Sequence, residues 1–376
     1  MEKKGQMEEK VNSTRKLAVI SFTERGEALA GRVKAALSDS ADSVESVECM
    51  LYTKRSSSGV HKEPGQPEAK KVTEPLGVWA GRQFKAGNAI LFIGACGIAV
   101  RSIAGHVRDK LSDVPVLVMD EAGKYVIPLL SGHYGGANEL AELIAGRLFA
   151  AAVITTATDV NGLFAVDVFA RKNGLWIADR NGIARVSAKL LDKGQITMSV
   201  SGACVGEIPP EVTLVPYPPK GDVDVLVAPE RPEGVDAGLF LVPRCIVLGM
   251  GCKKGKPEAE VEAFVRAALD GLHIPMQAVT ALATIDRKAE EKGFLDFVKK
   301  QGISFKTYPP ETLAAVKGEF QISSFVEETV GVENVCERAA MCAAGEAARL
   351  LLHKTAEDGK TLAVAERQWS VKFDEA

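Results

Sequence analysis

The chain has 376 residues, 46% of them hydrophobic and 25% charged, and a net charge of −3 at neutral pH. That length favours two or three domains, and that composition is ordinary for a globular protein, which excludes global disorder. The slightly acidic balance argues against a general nucleic-acid binder, whose footprint is basic, but leaves room for an anionic small ligand held by a local cluster of cations.

Residues 1–16 are polar and charged, lack the apolar centre of a signal peptide, and read as a flexible tail. No stretch approaches the 18 or so apolar residues of a membrane span. A short apolar strand over 17–22 leads into helical spacing over 24–37 (Ala28, Leu29, Val33, Ala36, Leu37), and 44–52 reads as a second strand. Residues 54–73 contain Ser56-Ser57-Ser58-Gly59, two prolines and many charges, and read as a mobile insert. Helical spacing returns over 76–85. A buried strand over 89–93 then enters Gly94-Ala95-Cys96-Gly97 and a helix over 98–111. A strand over 114–119 closes on Asp120-Glu121. Another, over 125–130, passes through Ser131-Gly132-His133-Tyr134-Gly135-Gly136 into a helix over 138–149, and a strand follows over 152–156. This alternation predicts an N-terminal α/β domain over 17–157.

Residues 158–243 are less regular. Helical stretches near 163–171 and 183–191 are followed by strands over 196–200, 212–215 and 224–228, with Pro209-Pro210 and Pro218-Pro219 between them. They read as a smaller mixed middle region. From 245 a new strand enters the glycine turn 249–255, and a helix begins at Pro257, a residue suited to the first helical position. A strand over 279–285, a helix over 290–301, a strand over 304–308, a long Ala-rich helix over 335–352 and a final strand over 361–365 complete a C-terminal α/β domain, 244–370. The expected class is therefore α/β: two α/β domains with mainly parallel sheets, joined by a smaller mixed middle region. Seven cysteines, an odd number with no C-x-x-C pair, point to reduced thiols and a cytoplasmic setting.

Several places could carry chemistry. In the 131–139 run, Gly132, Gly135 and Gly136 allow close backbone approach, the helix start offers N–H groups to an anion, and Ser131, His133, Asn138 and Glu139 add four kinds of polar group. His133 can transfer a proton near neutral pH. The same residues would equally make a tight strand–helix turn with Asn138 as its N-cap. Ser-Gly-His does not match the Gly-x-Ser-x-Gly nucleophile elbow. Gly94–Gly97 with Arg101, His106, Arg108 and Lys110 would suit a ligand with several carboxylates, or is simply a solvated basic helix face. Its glycines fall short of the dinucleotide fingerprint, and the spacing at Gly251, Lys253, Lys254 and Gly255 is wrong for a phosphate-binding P-loop, so a nucleotide-dependent enzyme is disfavoured. Asp120, Asp159 and Asp286 sit at strand C-terminal ends, where open α/β sheets place their sites, although many such acids only form turns.

With these residues in view, the chain resembles the cobalt-precorrin-5A hydrolases of anaerobic cobalamin biosynthesis. The resemblance rests on Gly97-Ile98-Ala99-Val100-Arg101, on Asp120-Glu121-Ala122-Gly123, and on Val126-Ile127-Pro128-Leu129-Leu130-Ser131-Gly132-His133 with Gly135-Gly136-Ala137-Asn138-Glu139-Leu140. Ile154-Thr155-Thr156-Ala157-Thr158-Asp159 extends it. A separate set covers 249–255, Thr284-Ile285-Asp286 with Lys288, 325–332 and Lys354. Tyr134 stands where an aliphatic residue is expected, and 54–73 has no family counterpart.

The resemblance implies a hydrolase that opens the ring-A δ-lactone of a cobalt-bearing tetrapyrrole and releases acetaldehyde, giving cobalt-precorrin-5B. It implies no separate cofactor, because cobalt arrives within the substrate. The partner expected is the small-molecule tetrapyrrole, with no nucleic acid, no membrane and a possible homodimer. His133 is expected as the acid/base, with Glu139 or Asp120 orienting it. Gly97, Arg101, Ser131, Gly135, Gly136, Asn138, Asp159, Gly251, Lys253, Lys254, Asp286 and Lys288 are expected to contact substrate. The alternative is a non-catalytic carrier of tetrapyrroles.

Overall fold

The structure, a computed structural model, describes residues 14–38, 46–55, 68–109, 111–320 and 334–373. The tail 1–13, residues 56–67 of the insert, Lys110 and the segment 325–332 lie outside the described residues. The chain divides into two compact units, Met1–Gly162 and Leu163–Ala376.

The first unit contains β1 (Arg15–Ser21), α1 (Glu24–Ser38), β2 (Val47–Thr53), β3 (Lys70–Lys71), α2 (Leu76–Ala86), β4 (Ala89–Ile93), α3 (Cys96–Ile103), β5 (Val116–Met119), β6 (Tyr125–Leu130), α4 (Ala137–Leu148), β7 (Ala151–Ala152) and the single turn α5 (Ala157–Val160). Among the described residues these strands form one sheet in the order β3-β2-β1-β4-β5-β6-β7. Its central strands are apolar on both faces because helices cover both. Leu17, Val19, Leu91, Ile93, Leu117 and Met119 pack on Leu29 and Val33 of α1 and Leu140 and Ile144 of α4. The alternate residues Ala18, Ile20, Ile90, Phe92, Val116 and Val118 pack on Trp79 of α2 and Ile103 of α3. The period of two along each strand thus divides the core into two layers. Each large side chain so buried contributes about 1.5–3 kcal/mol.

Several features differ from the sequence reading, and the helix expected over 98–111 is α3, which ends at Ile103. The insert is anchored at both ends: Lys70–Lys71 pairs with β2, and the Arg55 guanidinium lies 3.3 Å from Glu24 and 3.6 Å from Glu27. The strand expected over 152–156 shrinks to Ala151–Ala152. The sheet also changes direction. β1, β2, β4 and β5 are parallel, but β6 runs antiparallel to β5. The reason is local. Only residues 120–124 join the two strands, far fewer than the dozen or more that a parallel crossover needs. Gly123 supplies the positive φ of that turn (71°). Residues after β6 therefore emerge at the edge where β5 begins, opposite the edge where β4 and β5 end.

The second unit contains α6 (Val166–Lys172), β8 (Trp176–Ile177), α7 (Arg180–Lys193), β9 (Ile196–Val200), β10 (Ala203–Val205), β11 (Val212–Val215), β12 (Val223–Val227), β13 (Ala237–Val242), β14 (Ile246–Cys252), α8 (Glu258–Gly271), β15 (Val279–Ile285), α9 (Lys292–Gln301), β16 (Ser304–Tyr308), α10 (Pro310–Ala314), α11 (Val335–Ala344), β17 (Arg349–Glu357), β18 (Lys360–Glu366) and β19 (Ser370–Lys372). Among the described residues they build two five-stranded sheets, β11-β9-β12-β13-β8 and β16-β15-β14-β18-β17, and the two-stranded sheet β10-β19. One apolar core joins both, with Leu226, Phe240 and Val242 packed against Ile246, Leu248, Phe264 and Phe297. The middle region is thus a sheet in its own right, parallel from β11 to β13.

The Ala-rich helix expected over 335–352 stops at Ala344, where Gly345 takes φ 89° and Ala347 follows at φ 58°. The chain then forms β17, antiparallel to β18, and β18 is followed by a further strand, β19. Gly249 and Gly251 lie within β14 rather than in a turn; the turn proper begins at Lys253. A Cβ on Gly249 would meet the Cys336 carbonyl oxygen at 1.9 Å, so α11 lies directly on the backbone of β14 and only glycine fits there.

Candidate active site

The 131–139 run is a closed loop whose glycines are required by close contacts. A Cβ on Gly135 would lie 2.4 Å from the Ser131 Cβ, and one on Gly132 would lie 2.7 Å from Asn138 Oδ1. Ser131 sits at φ 58° and its hydroxyl donates to the Asp113 carbonyl at 2.8 Å, so it is a structural tie. The first two N–H groups of α4 are already taken: Ala137 donates to Ser131 O and Asn138 to Gly132 O, both at 3.0 Å. This corrects the picture of an open anion cradle at that helix start. Gly136 caps the helix in a left-handed conformation, beside the Arg15 guanidinium and the Glu139 carboxylate.

Asn138 is not an N-cap. It lies inside α4, 7% exposed, and its amide donates to Thr156 Oγ1 at 3.1 Å and to Asp159 Oδ2. The same Asp159 Oδ2 lies 2.9 Å from His133 Nε2, and the buried Thr158 hydroxyl lies 3.2 Å from that nitrogen. β6 and β7 are parallel neighbours, so the loop after β6 and the short helix after β7 meet at one edge. The His133 side chain is 14% exposed and Asp159 31%, which leaves the pair partly shielded yet reachable.

An ionised carboxylate can only accept a hydrogen bond, so Asp159 fixes Nε2 as the protonated nitrogen and makes Nδ1 the basic one. It also stabilises the imidazolium when Nδ1 takes a proton. Asp120, by contrast, cannot orient His133. It follows Met119, which pairs with Val126, whereas His133 follows Leu130, which pairs with Val116. The length of β6 separates them, about 15 Å. The Asp120 carboxylate instead accepts the N–H groups of Ala122, Lys124 and Tyr125 at 2.7–3.0 Å and holds the β5–β6 turn.

Gly97 and Arg101 also lie at the far edge, after the C-terminal end of β4. The exposed Arg101 guanidinium folds back over Gly97, within 3.3 Å of where a Cβ would stand. In the second unit, Gly251, Lys253, Lys254, Asp286 and Lys288 do come together, at the edge where β14 and β15 end. Lys253 lies over Gly359 and donates its N–H to Gly359 O at 2.8 Å. Lys288 reaches the buried Glu291 at 2.9 Å, and Glu291 also accepts the Gly255 N–H at 2.7 Å. Burial works to raise the Glu291 carboxyl, but the Lys288 ammonium and the Gly255 N–H outweigh it and hold it below the ordinary range. Lys288 thereby braces the lysine turn. Asp286 accepts its neighbour's N–H, from Arg287 at 2.7 Å. Sequence reasoning missed Glu291 and the partnership of Thr158 and Asp159 with His133. The adjacent pair Thr158-Asp159 was visible, but its distance along the chain from His133 hid the contact.

Fold and site together define an α/β protein with a carboxylate-paired imidazole, equipped for acid–base chemistry. Comparison with known proteins specifies which: the chain belongs to the cobalt-precorrin-5A hydrolase family. Residues 79–159 match the family model "Cobalamin synthesis G N-terminal" and residues 246–365 match "Cobalamin synthesis G C-terminus". The chain is 34% identical to the cobalt-precorrin-5A hydrolase of Salmonella typhimurium (strain LT2) over 272 residues, 69% of this chain and 77% of that one. It is 32% identical to the cobalt-precorrin-5A hydrolase of Priestia megaterium over 302 residues, covering 75% and 79%. Among solved structures, CobE, a protein from the cobalamin (vitamin B12) biosynthetic pathway, is 25% identical and covers 33% of this chain and 91% of its own, with a TM-score of 0.32. Among the described residues, no helix is long and apolar enough to cross a membrane.

Proposed function

We propose that the chain hydrolyses cobalt-precorrin-5A, opening its ring-A δ-lactone and releasing C20 with its methyl group as acetaldehyde, to leave cobalt-precorrin-5B. Membership of the hydrolase family supports the reaction. The observation that carries the residue assignment is the 2.9 Å contact of His133 Nε2 with Asp159. In this reading His133 Nδ1 takes a proton from the attacking water as its oxygen bonds to the lactone carbonyl carbon. The imidazolium then returns a proton to the departing oxygen, which becomes the C20 hydroxyl. Loss of that hydroxyl proton as the bond from C20 to the macrocycle breaks forms the carbonyl of acetaldehyde, and the macrocycle carbon left behind takes up a proton. Asp159 stabilises the charge and Asn138 holds Asp159 in place. General acid–base help of this kind is worth roughly 10²–10⁴-fold.

The Lys253 and Lys254 turn receives peripheral carboxylates of the macrocycle, where each charge-assisted bond contributes about 1.5–3 kcal/mol. Cobalt enters as part of the substrate, the protein adds no cofactor of its own, and the setting is the cytoplasm. The test is purified protein with cobalt-precorrin-5A, following acetaldehyde against loss of the lactone. Equimolar acetaldehyde supports the hydrolase. Tight binding with no acetaldehyde overturns it in favour of a carrier.

A further inference from the structure

The second unit holds a pocket of about 350 Å³ beyond the ends of β9 and β11, at the lower end of the size range of small-molecule sites. Ser201 and Gly202, which follow β9, line it together with Tyr217, just past β11. The start of β17 and the link from β18 to β19, residues 366–369, line it from the other side. The Ala203 N–H donates to Trp369 O at 3.2 Å and pins that link beside the end of β9. Gly202 packs directly on the Trp369 ring, where a Cβ would come within 2.7 Å of it.

The charged side chains on the walls are the guanidiniums of Arg349 and Arg367 and the carboxylate of Glu366. Glu366 takes the Arg349 guanidinium at 2.7 Å on one oxygen and the Trp369 indole N–H at 2.9 Å on the other. Its charge is therefore matched and both its oxygens are engaged. Arg367 is different. Its guanidinium donates to the Arg244 carbonyl at 2.8 Å, and among the described residues no carboxylate pairs with it. A guanidinium carries five N–H donors, so that one bond leaves others for a ligand. Glu230 accepts the Tyr217 hydroxyl at 2.7 Å but is not on the wall. The pocket also lies apart from the lysine turn. Glu366 pairs with Ile246 at the start of β14, whereas the turn follows Cys252 at its end, about 20 Å away along the strand. Of the wall residues only Ala347 and Arg349 fall inside a family match, so the site assigned to the macrocycle does not account for it.

We propose that this pocket binds a small organic monocarboxylate. A carboxylate is planar and accepts at two oxygens, which matches the fork of a guanidinium. Its single negative charge balances the one positive charge on the walls that nothing else matches. The Trp369 and Tyr217 rings give an organic body apolar surface to lie against. A bare inorganic anion would leave both rings and most of the volume unused. The proposal is independent of the reaction assigned to His133.

The probes are benzoate, its uncharged isostere benzamide, and inorganic phosphate, each titrated at one ionic strength to roughly 10 mM, the range of weak fragments, into the full chain. The readout is the indole N–H resonance of Trp369 in a ¹H–¹⁵N spectrum, assigned with Trp369→Phe. Benzoate is expected to shift it saturably, and benzamide and phosphate to leave it in place. Arg367→Gln, at an exposed position, should weaken benzoate about tenfold or more. No shift with benzoate, an equal shift with benzamide or phosphate, or an unchanged benzoate response in Arg367→Gln would overturn the proposal. If Trp369→Phe does not fold, calorimetric titration of the same probes into wild type and Arg367→Gln decides between the same outcomes.

Discussion

At the scale of residues, the account turns on three side chains in series: Asn138 holds Asp159, and Asp159 holds His133. Replacing Asp159 with Asn removes the charge that stabilises the imidazolium. Turnover should drop roughly 10²–10⁴-fold, checked by single-turnover rates of wild type and variant. Asn138→Ala removes a buried amide with its hydrogen bonds to Thr156 and to the part-exposed Asp159. A stability loss of about 1–3 kcal/mol is expected by denaturant titration, with turnover reduced less than in Asp159→Asn. The imidazole was legible in the sequence because few other side chains titrate near neutrality. Its partner was not. Asp120, Glu139 and Asp159 are equivalent as letters, and only the direction of β6 separates Asp120 from the rest.

At the scale of elements, strands with continuous apolar runs, such as β4 and β14, were readable, as were helices with clear spacing such as α1 and α9. Strand direction was not, since hydrophobic pattern is blind to it; the short link carrying Asp120 and Gly123 was the available sign. Alanine content over 335–352 favoured a helix by propensity, but Gly345 and the pairing of β17 with β18 override it. Gly249→Ala forces a Cβ against the Cys336 carbonyl and should cost about 3 kcal/mol or more, seen as a lower denaturation midpoint. Between α7 and β12, Asp224 is held below its ordinary range: burial works to raise it, but Lys189 at 2.6 Å and Thr197 outweigh that. A depressed folded pKa stabilises the fold above the unfolded value, and that stability is lost as pH falls through the folded value. Wild-type stability should therefore decline below about pH 4, and less steeply in Asp224→Asn; urea titrations across that interval test it.

At the scale of the whole molecule, a family match falls in each of the two units, and the chain places one candidate site on each. The acidic total conceals local cations, notably Lys253 and Lys254 at the sheet edge of the second unit. Changing both to Glu should raise KM for the macrocycle at least about tenfold with the fold intact, and an unchanged KM would remove that turn from the binding surface. The claim on which the account rests most is that His133, not Asp120, serves the reaction. It is tested by single-turnover acetaldehyde release from cobalt-precorrin-5A, comparing wild type, His133→Ala and Asp120→Ala at matched folded fraction. The account predicts a loss of roughly 10²–10⁴-fold for His133→Ala and a change within about threefold for Asp120→Ala. Near-wild-type release by His133→Ala, or an equal loss in both variants, would contradict it.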